Sequence, residues 1–280
     1  MHRLGARAYS GPIRAVIFDW AGTIVDQGSC APAEAFVEVF KRFKVPIDAA
    51  TARGPMGKNK REHITDIIYA PRERAAWAAA HGRQPDERDV DAIYAAFTPV
   101  QIEVVRRRAA PLAGAVDTIA ALRARGIGVG SCSGYNSEIM AAVREGASAH
   151  GLSIDVVECA GPANGRPKPW LSTNVAEALD AFPLWACIKV DDTIPGIAEG
   201  INAGMWTVGV ARSGNEFGLD EAADAALKRD APEEHARRLE AAKDRLRAAG
   251  SHYVIDSVAD LMPVIDIIEQ RMKKGISPLH

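Results

Sequence analysis

Ala15-Val16-Ile17-Phe18 is a short apolar run that delivers Asp19 into a tight turn containing Gly22. A run of this kind without polar alternation reads as a strand buried on both faces of a parallel sheet. An acid at its carboxyl end sits where open α/β sheets place their ligands. Asp19 is therefore a candidate for chemistry. Two places on, where a carboxylate would serve as a proton donor, the chain has Ala21.

The strand–helix alternation of a doubly wound sheet does not resume for most of a hundred residues. Residues 31–108 read instead as consecutive helices, predicted over 33–43, 58–69, 72–81 and 86–107. Pro46, Pro55 and Pro71 punctuate them, and a last break lies at 82–85. From Pro111 the α/β rhythm returns, with strands predicted over 127–131, 155–157, 187–190 and 207–210. Helices end at 125 and begin at 138, 170 and 195. Residues 232–249 read as a solvated charged helix, 251–255 as a last strand and 258–271 as a closing helix. The fold class expected is α/β, a doubly wound, mainly parallel sheet with an inserted all-helical cap. Its core segments span residues 11–28 and 109–280, and the cap spans 29–108.

With 280 residues, about half of them hydrophobic and a quarter charged, the chain has room for one large domain with an insertion. A net charge of −2 gives no basic excess for nucleic acid, and the apolar runs are too short to span a bilayer. A small-molecule substrate is the expectation. Cys30, Cys132, Cys159 and Cys187 form no C-x-x-C pair and read as buried thiols. The first ten residues hold no apolar stretch of the secretory kind, so the expected location is cytoplasmic.

Strand ends bring Asp19, residues 131–135 and Asp191-Asp192-Thr193 toward one crevice, because the carboxyl ends of parallel strands lie side by side. Ser133-Gly134 offers a hydroxyl and an unhindered backbone N–H to a phosphate oxygen, and Arg166 offers a charge-assisted fork. Asp19 and Asp192, with a carbonyl from the turn, supply the hard oxygen ligands that Mg²⁺ prefers.

The segments D-W-A-G-T (from Asp19), S-G-Y (from Ser133), G-R-P-K-P-W (from Gly165) and D-D-T (from Asp191) resemble the haloacid dehalogenase superfamily. The stretch from Met56 to His63 resembles the M-G-x-x-K-x-x-H motif of its phosphonatase family. The resemblance extends from about Ile13 to the end of the chain. It implies C–P cleavage of phosphonoacetaldehyde in phosphonate degradation, with Asp19 as nucleophile and Lys60 forming a Schiff base. It further implies Mg²⁺ on Asp19, the Ala21 carbonyl and Asp192, and a phosphonate held by Ser133, Gly134 and Arg166. Met56, Gly57, His63 and Tyr135 are expected to line the site, and the family suggests a homodimer joined through the cap.

The chemistry accounts for these residue types. A carbanion is too poor a leaving group to depart unaided, whereas a protonated imine on Lys60 accepts the electrons as Asp19 attacks phosphorus. No acid at position 21 is then needed. Lys60 must be neutral to react, and desolvation with nearby Arg61 or Lys58 would depress its pKa. His63, three residues along the same helix, is placed for proton relay. Lys58 competes on proximity, but the family spacing selects Lys60. Many superfamily members carry a second acid where this chain has Gly196, so Asp191 either supplies that carboxylate or caps the following helix. Cap closure is expected about linkers near 25–30 and 106–111. Two other readings remain: a phosphatase or phosphomutase acting on a C–O–P ester, and a catalytically silent phospho-accepting or nucleotide-binding module.

Overall fold

Strand β1 (Ala15–Phe18) lies inside a six-stranded sheet, with β2 (Gly128–Ser133) and β3 (Val156–Cys159) to one side. To the other lie β4 (Cys187–Asp191), β5 (Trp206–Val210) and β6 (Tyr253–Ile255). Every neighbouring pair is parallel. β1, β4 and β5 are buried along their whole length, which is why β1 reads as an unbroken apolar run and the other two as mainly apolar ones. The computed structural model describes residues 9–161 and 164–279. The expectation of no secretory leader falls largely on residues 1–8, outside the described residues. No helix among the described residues is long and apolar enough to cross a membrane.

Six helices lie between β1 and β2, and the first five form the insertion: α1 (Cys30–Arg42), α2 (Ala49–Arg53), α3 (Lys60–Ile68), α4 (Pro71–His81) and α5 (Glu87–Arg108). They pack together where α1 meets α5, the Phe36 and Phe97 rings lying 4.4 Å apart with Ile64 and Ile67 of α3 buried, in a cluster continuous with the core of the sheet. The chain leaves the sheet and returns at adjacent points. Val25 and Pro111 form an isolated antiparallel bridge, and Leu112 N–H donates to the Ile24 carbonyl at 2.9 Å.

The remaining helices alternate with strands: α6 (Ala115–Ala124), α7 (Ser137–Ser148), α8 (Trp170–Ala178), α9 (Ile194–Asn202), α10 (Glu221–Asp230), α11 (Pro232–Ala248) and α12 (Leu261–Lys273). α2 and α10 escape the sequence reading because neither carries an apolar stripe; each buries a single residue, Ala52 and Asp224. α3 begins at Lys60 and not at 58, since the Asn59 side chain accepts from Glu62 N–H at 2.9 Å and caps the helix there.

Candidate active site

Asp19 directly follows β1, Ser133 ends β2 and Asp191 ends β4. Because β2 and β4 are the two neighbours of β1, their carboxyl ends bring these residues together. The turn after β1 is tight: the Trp20 carbonyl accepts from the N–H groups of Thr23, Ile24 and Val25 at 2.9–3.2 Å. Against these loops sits the segment between α2 and α3. One cavity is lined from the sheet by Asp19, Ala21, Ser133, Gly134, Tyr135 and Arg166, and from the insertion by Met56, Gly57 and Lys60. Ser29, Pro32 and Thr193 complete the wall. Gly57 is obligatory in this seat: its φ is +92°, and a Cβ there would lie 2.4 Å from Thr193 Oγ1.

Lys60 is 4% exposed. Its Nζ lies 4.0 Å from Met56 Sδ, 5.1 Å from the centre of the Tyr135 ring and 5.5 Å from that of Phe36. Burial lowers its pKa to about 8, opposed by the negative charge of Asp19 and assisted by Arg166. Desolvation acts as expected from the sequence, but the cation beside Lys60 is a different one. Arg61 is engaged at the surface by Glu87 and Asp91, each at 2.8 Å, and Lys58 by Asp66 at 2.6 Å. Lys58 therefore faces away from the cavity, and Arg166 is the cation that matters.

His63 does not reach the cavity wall. Its ring stacks on Phe36 with centroids 3.8 Å apart, and Nε2 donates to the Ala52 carbonyl at 2.8 Å. A carbonyl can only accept, so the proton sits on Nε2, leaving Nδ1 as a buried acceptor with no partner among the described residues. Burial, together with Lys60, holds the ring neutral.

Three buried acids, Asp19, Asp191 and Asp192, have carboxylate oxygens within 4.8 Å of one another. Their environments differ. Asp191 is bound by Lys189 at 3.0 Å and Arg166 at 3.2 Å, and it accepts from the Thr193 hydroxyl at 2.8 Å. Burial would raise its pKa, but Arg166 and Lys189 prevail and hold it below the usual carboxylate range. Asp192 accepts only from Thr23 Oγ1 at 3.1 Å and Asn215 N–H at 2.7 Å, and no cationic side chain among the described residues pairs with it. Burial, with Asp19 and Asp191 nearby, pushes it well above its ordinary range. Asp19, which accepts from Arg166 at 2.8 Å, is raised by burial and Asp191 to about 6. Two adjoining carboxylates, one without a cationic partner, form a donor set suited to a hard divalent cation.

The helix-cap alternative for Asp191 is corrected by the structure. Thr193 caps α9, accepting from Gly196 N–H at 3.2 Å, while Asp191 points into the acid cluster. Gly196 makes that possible, since a Cβ there would stand 2.0 Å from the Asp191 Cγ. The acid absent from position 196 and the carboxylate gained at 191 thus occupy the same space.

Behind Asp19 lies a buried ionic network that the sequence reading missed. Arg166 Nε donates to Glu199 at 2.7 Å, and Glu199 also accepts from Ser172 N–H at 2.9 Å and from the Ser172 hydroxyl at 2.6 Å. Lys189 Nζ stands 3.0 Å from Cys132 Sγ. These groups fix the guanidinium that faces Asp19. Lys189 carried a signal, being a charge inside an apolar strand, where it must find partners. Glu199 carried none.

The model of the haloacid dehalogenase-like hydrolases matches residues 13–204. The chain is 49% identical over 267 residues to the phosphonoacetaldehyde hydrolase of Paraburkholderia xenovorans, spanning 95% of this chain and 99% of that protein. It is likewise 49% identical over 269 residues to the phosphonoacetaldehyde hydrolase of Salmonella typhimurium, spanning 95% and 99%. The crystal structure of a phosphonoacetaldehyde hydrolase-like protein from Oleispira antarctica superposes with a TM-score of 0.95 at 41% identity, covering 99% of this chain and all of that one.

Proposed function

The chain belongs to the haloacid dehalogenase-like hydrolases and, within them, to the phosphonoacetaldehyde hydrolases, and we infer that it hydrolyses the C–P bond of phosphonoacetaldehyde to acetaldehyde and phosphate. The observation that carries this reading is that Lys60 from the insertion and Asp19 from the sheet line one cavity, with Ala21 and not an acid on its wall.

Lys60 sheds a proton to solvent, the neutral amine attacks the aldehyde carbon, and a proton regained from solvent lets the carbinolamine oxygen leave as water, giving a protonated imine. His63, expected as a proton relay, is instead held neutral outside the cavity, and its stacking on Phe36 and its bond to the Ala52 carbonyl brace the helix that carries Lys60. Ser133, the Gly134 N–H and Arg166 orient the phosphonate, and Met56, Gly57 and Tyr135 exclude water around it. An Asp19 oxygen then attacks phosphorus as the C–P electron pair moves into the imine, giving an enamine and an aspartyl phosphate. Protonation and hydrolysis of the enamine free acetaldehyde and Lys60, and water releases phosphate from Asp19. Mg²⁺ fits the site, held by Asp19, Asp192 and the Ala21 carbonyl, where it would offset repulsion between carboxylates and phosphonate. Asp191, fixed by Lys189 and Thr193, borders that position. We expect the helical segment 29–108 to act as a cap that opens for substrate, in a cytoplasmic homodimer joined through cap helices, as family membership suggests.

A phosphatase or phosphomutase, the competing reading, has use for an acid at position 21 and none for a buried lysine in the cap. Ala21→Asp tests the distinction. A carboxylate beside Lys60 would raise its pKa, and each unit removes a factor of about ten from the neutral amine at pH 7. Phosphate release from phosphonoacetaldehyde is expected to fall roughly 100-fold for a two-unit rise, with hydrolysis of an aryl phosphate ester gained. Both substrates are assayed side by side. Unchanged phosphonate turnover would make Ala21 incidental and restore the phosphatase reading.

The protonation state of Lys60 sets a second expectation. Only the neutral amine reacts, so reductive trapping of acetaldehyde on Lys60 should accelerate with pH and level off above about 8. A rate still climbing beyond pH 10, where an exposed lysine titrates, would show that burial does not tune this amine.

A further inference from the structure

We propose that Arg53 is a closure latch, a positioning residue that couples the seating of the helical insertion to the placement of the Asp192 carboxylate. The inference rests on the reading of the site given above.

Arg53 ends α2, three residues before Met56. Its half-buried guanidinium reaches out of the insertion. Nη1 donates to the carbonyls of Gly28 and Ser29 on the entry linker and, at 3.3 Å, to Oδ1 of Asn215, while Nη2 lies 3.3 Å from Cys30 Sγ. All of these acceptors are neutral. The donors fix position and do not neutralise a carboxylate.

Asn215 belongs to the loop after β5, and its backbone N–H is one of the two donors holding Asp192. The same loop holds the turn after β1, because Ser213 Oγ donates to the Gly22 carbonyl at 2.9 Å and the Ser213 carbonyl accepts from Gly28 N–H at 2.6 Å. On the other side, the carbonyl next to Arg53, that of Ala52, accepts from His63 in the helix that carries Lys60. A continuous path of contacts thus runs from the Lys60 helix through His63 and α2 to Arg53, Asn215 and Asp192. When the insertion lifts, the Arg53–Asn215 contact is the link in this path that crosses from insertion to sheet and must break.

Two readouts test the latch by a double-mutant cycle of Arg53→Ala and Asn215→Ala; the second removes the side chain and keeps the backbone donor to Asp192. In metal-free, unliganded protein, amide hydrogen exchange over residues 54–59 is expected to quicken about tenfold in each single variant, a size typical of site coupling. It should quicken no further on adding Asn215→Ala to Arg53→Ala. With phosphonoacetaldehyde, KM should rise in both single variants while kcat stays within about threefold, as when closure and not chemistry is weakened. Arg53→Lys, which keeps the charge and loses the fork, should resemble Arg53→Ala. Equal effects of Asn215→Ala in both backgrounds, or none in either, overturn the latch. Because exchange is read without substrate, that failure is distinguishable from a wild-type protein that releases no phosphate, which would instead overturn the functional reading.

Discussion

Lys60→Arg is expected to cut phosphate release from phosphonoacetaldehyde by on the order of 10⁴-fold or more, the scale on which removal of an activated nucleophile acts. Arginine preserves a cation between the Phe36 and Tyr135 rings, but a guanidinium stays protonated and forms no imine. Without the imine, the C–P electron pair has nowhere to go when phosphorus is attacked. The loss should appear in kcat, with unfolding temperature and phosphonate affinity largely kept, because the anion is gripped from the sheet side. Phosphate release and thermal unfolding measured on the same preparation check this. Near-normal turnover in the arginine variant would remove Lys60 from the chemistry.

Asp19→Asn is expected to be comparably severe for phosphate release, on the order of 10⁴-fold or more, and to differ in one respect. Asparagine keeps the shape and loses both the nucleophilic oxygen and the charge. Asp19 is the group that holds the Lys60 pKa up against burial. Removing that charge lowers the Lys60 pKa further and raises the neutral fraction at pH 7. Reductive trapping of acetaldehyde on Lys60 should therefore proceed in Asp19→Asn as fast as in the parent or faster. The two residues then separate cleanly: one variant releases no phosphate and forms no adduct, the other releases no phosphate and forms it readily. If trapping vanished along with phosphate release, the two residues would not act in successive steps.

The part of the site lying on strand ends was legible because topology does the work. Once residues 15–18 read as a central parallel strand, Asp19, Ser133 and Asp192 had to converge, and the structure brings them to the carboxyl ends of adjacent strands. The helical insertion was legible from periodicity, and Lys60 from the spacing of a motif. What escaped was held by partners distant in sequence. Glu199 meets Arg166 across 33 positions and Arg53 meets Asn215 across 162, and a residue type alone does not announce its partner. Position also decided the electrostatics: Lys58 and Arg61 flank Lys60 in sequence, yet both turn to surface acids, while the charges that Lys60 meets are those of Asp19 and Arg166, both remote in the chain. Asp191 was ambiguous for a related reason. An acid three residues before a helix serves as well in a cap as in a cluster, and only the space beside Gly196 decides between them.

Reductive trapping with phosphonoacetaldehyde itself tests imine formation at Lys60 most directly. The protein is incubated with phosphonoacetaldehyde and borohydride, digested, and mapped by mass spectrometry. Irreversible inactivation is expected, with a single reduced adduct on Lys60 and none on Lys58. An adduct on Lys58, or full phosphate release with no adduct on any lysine, would contradict it.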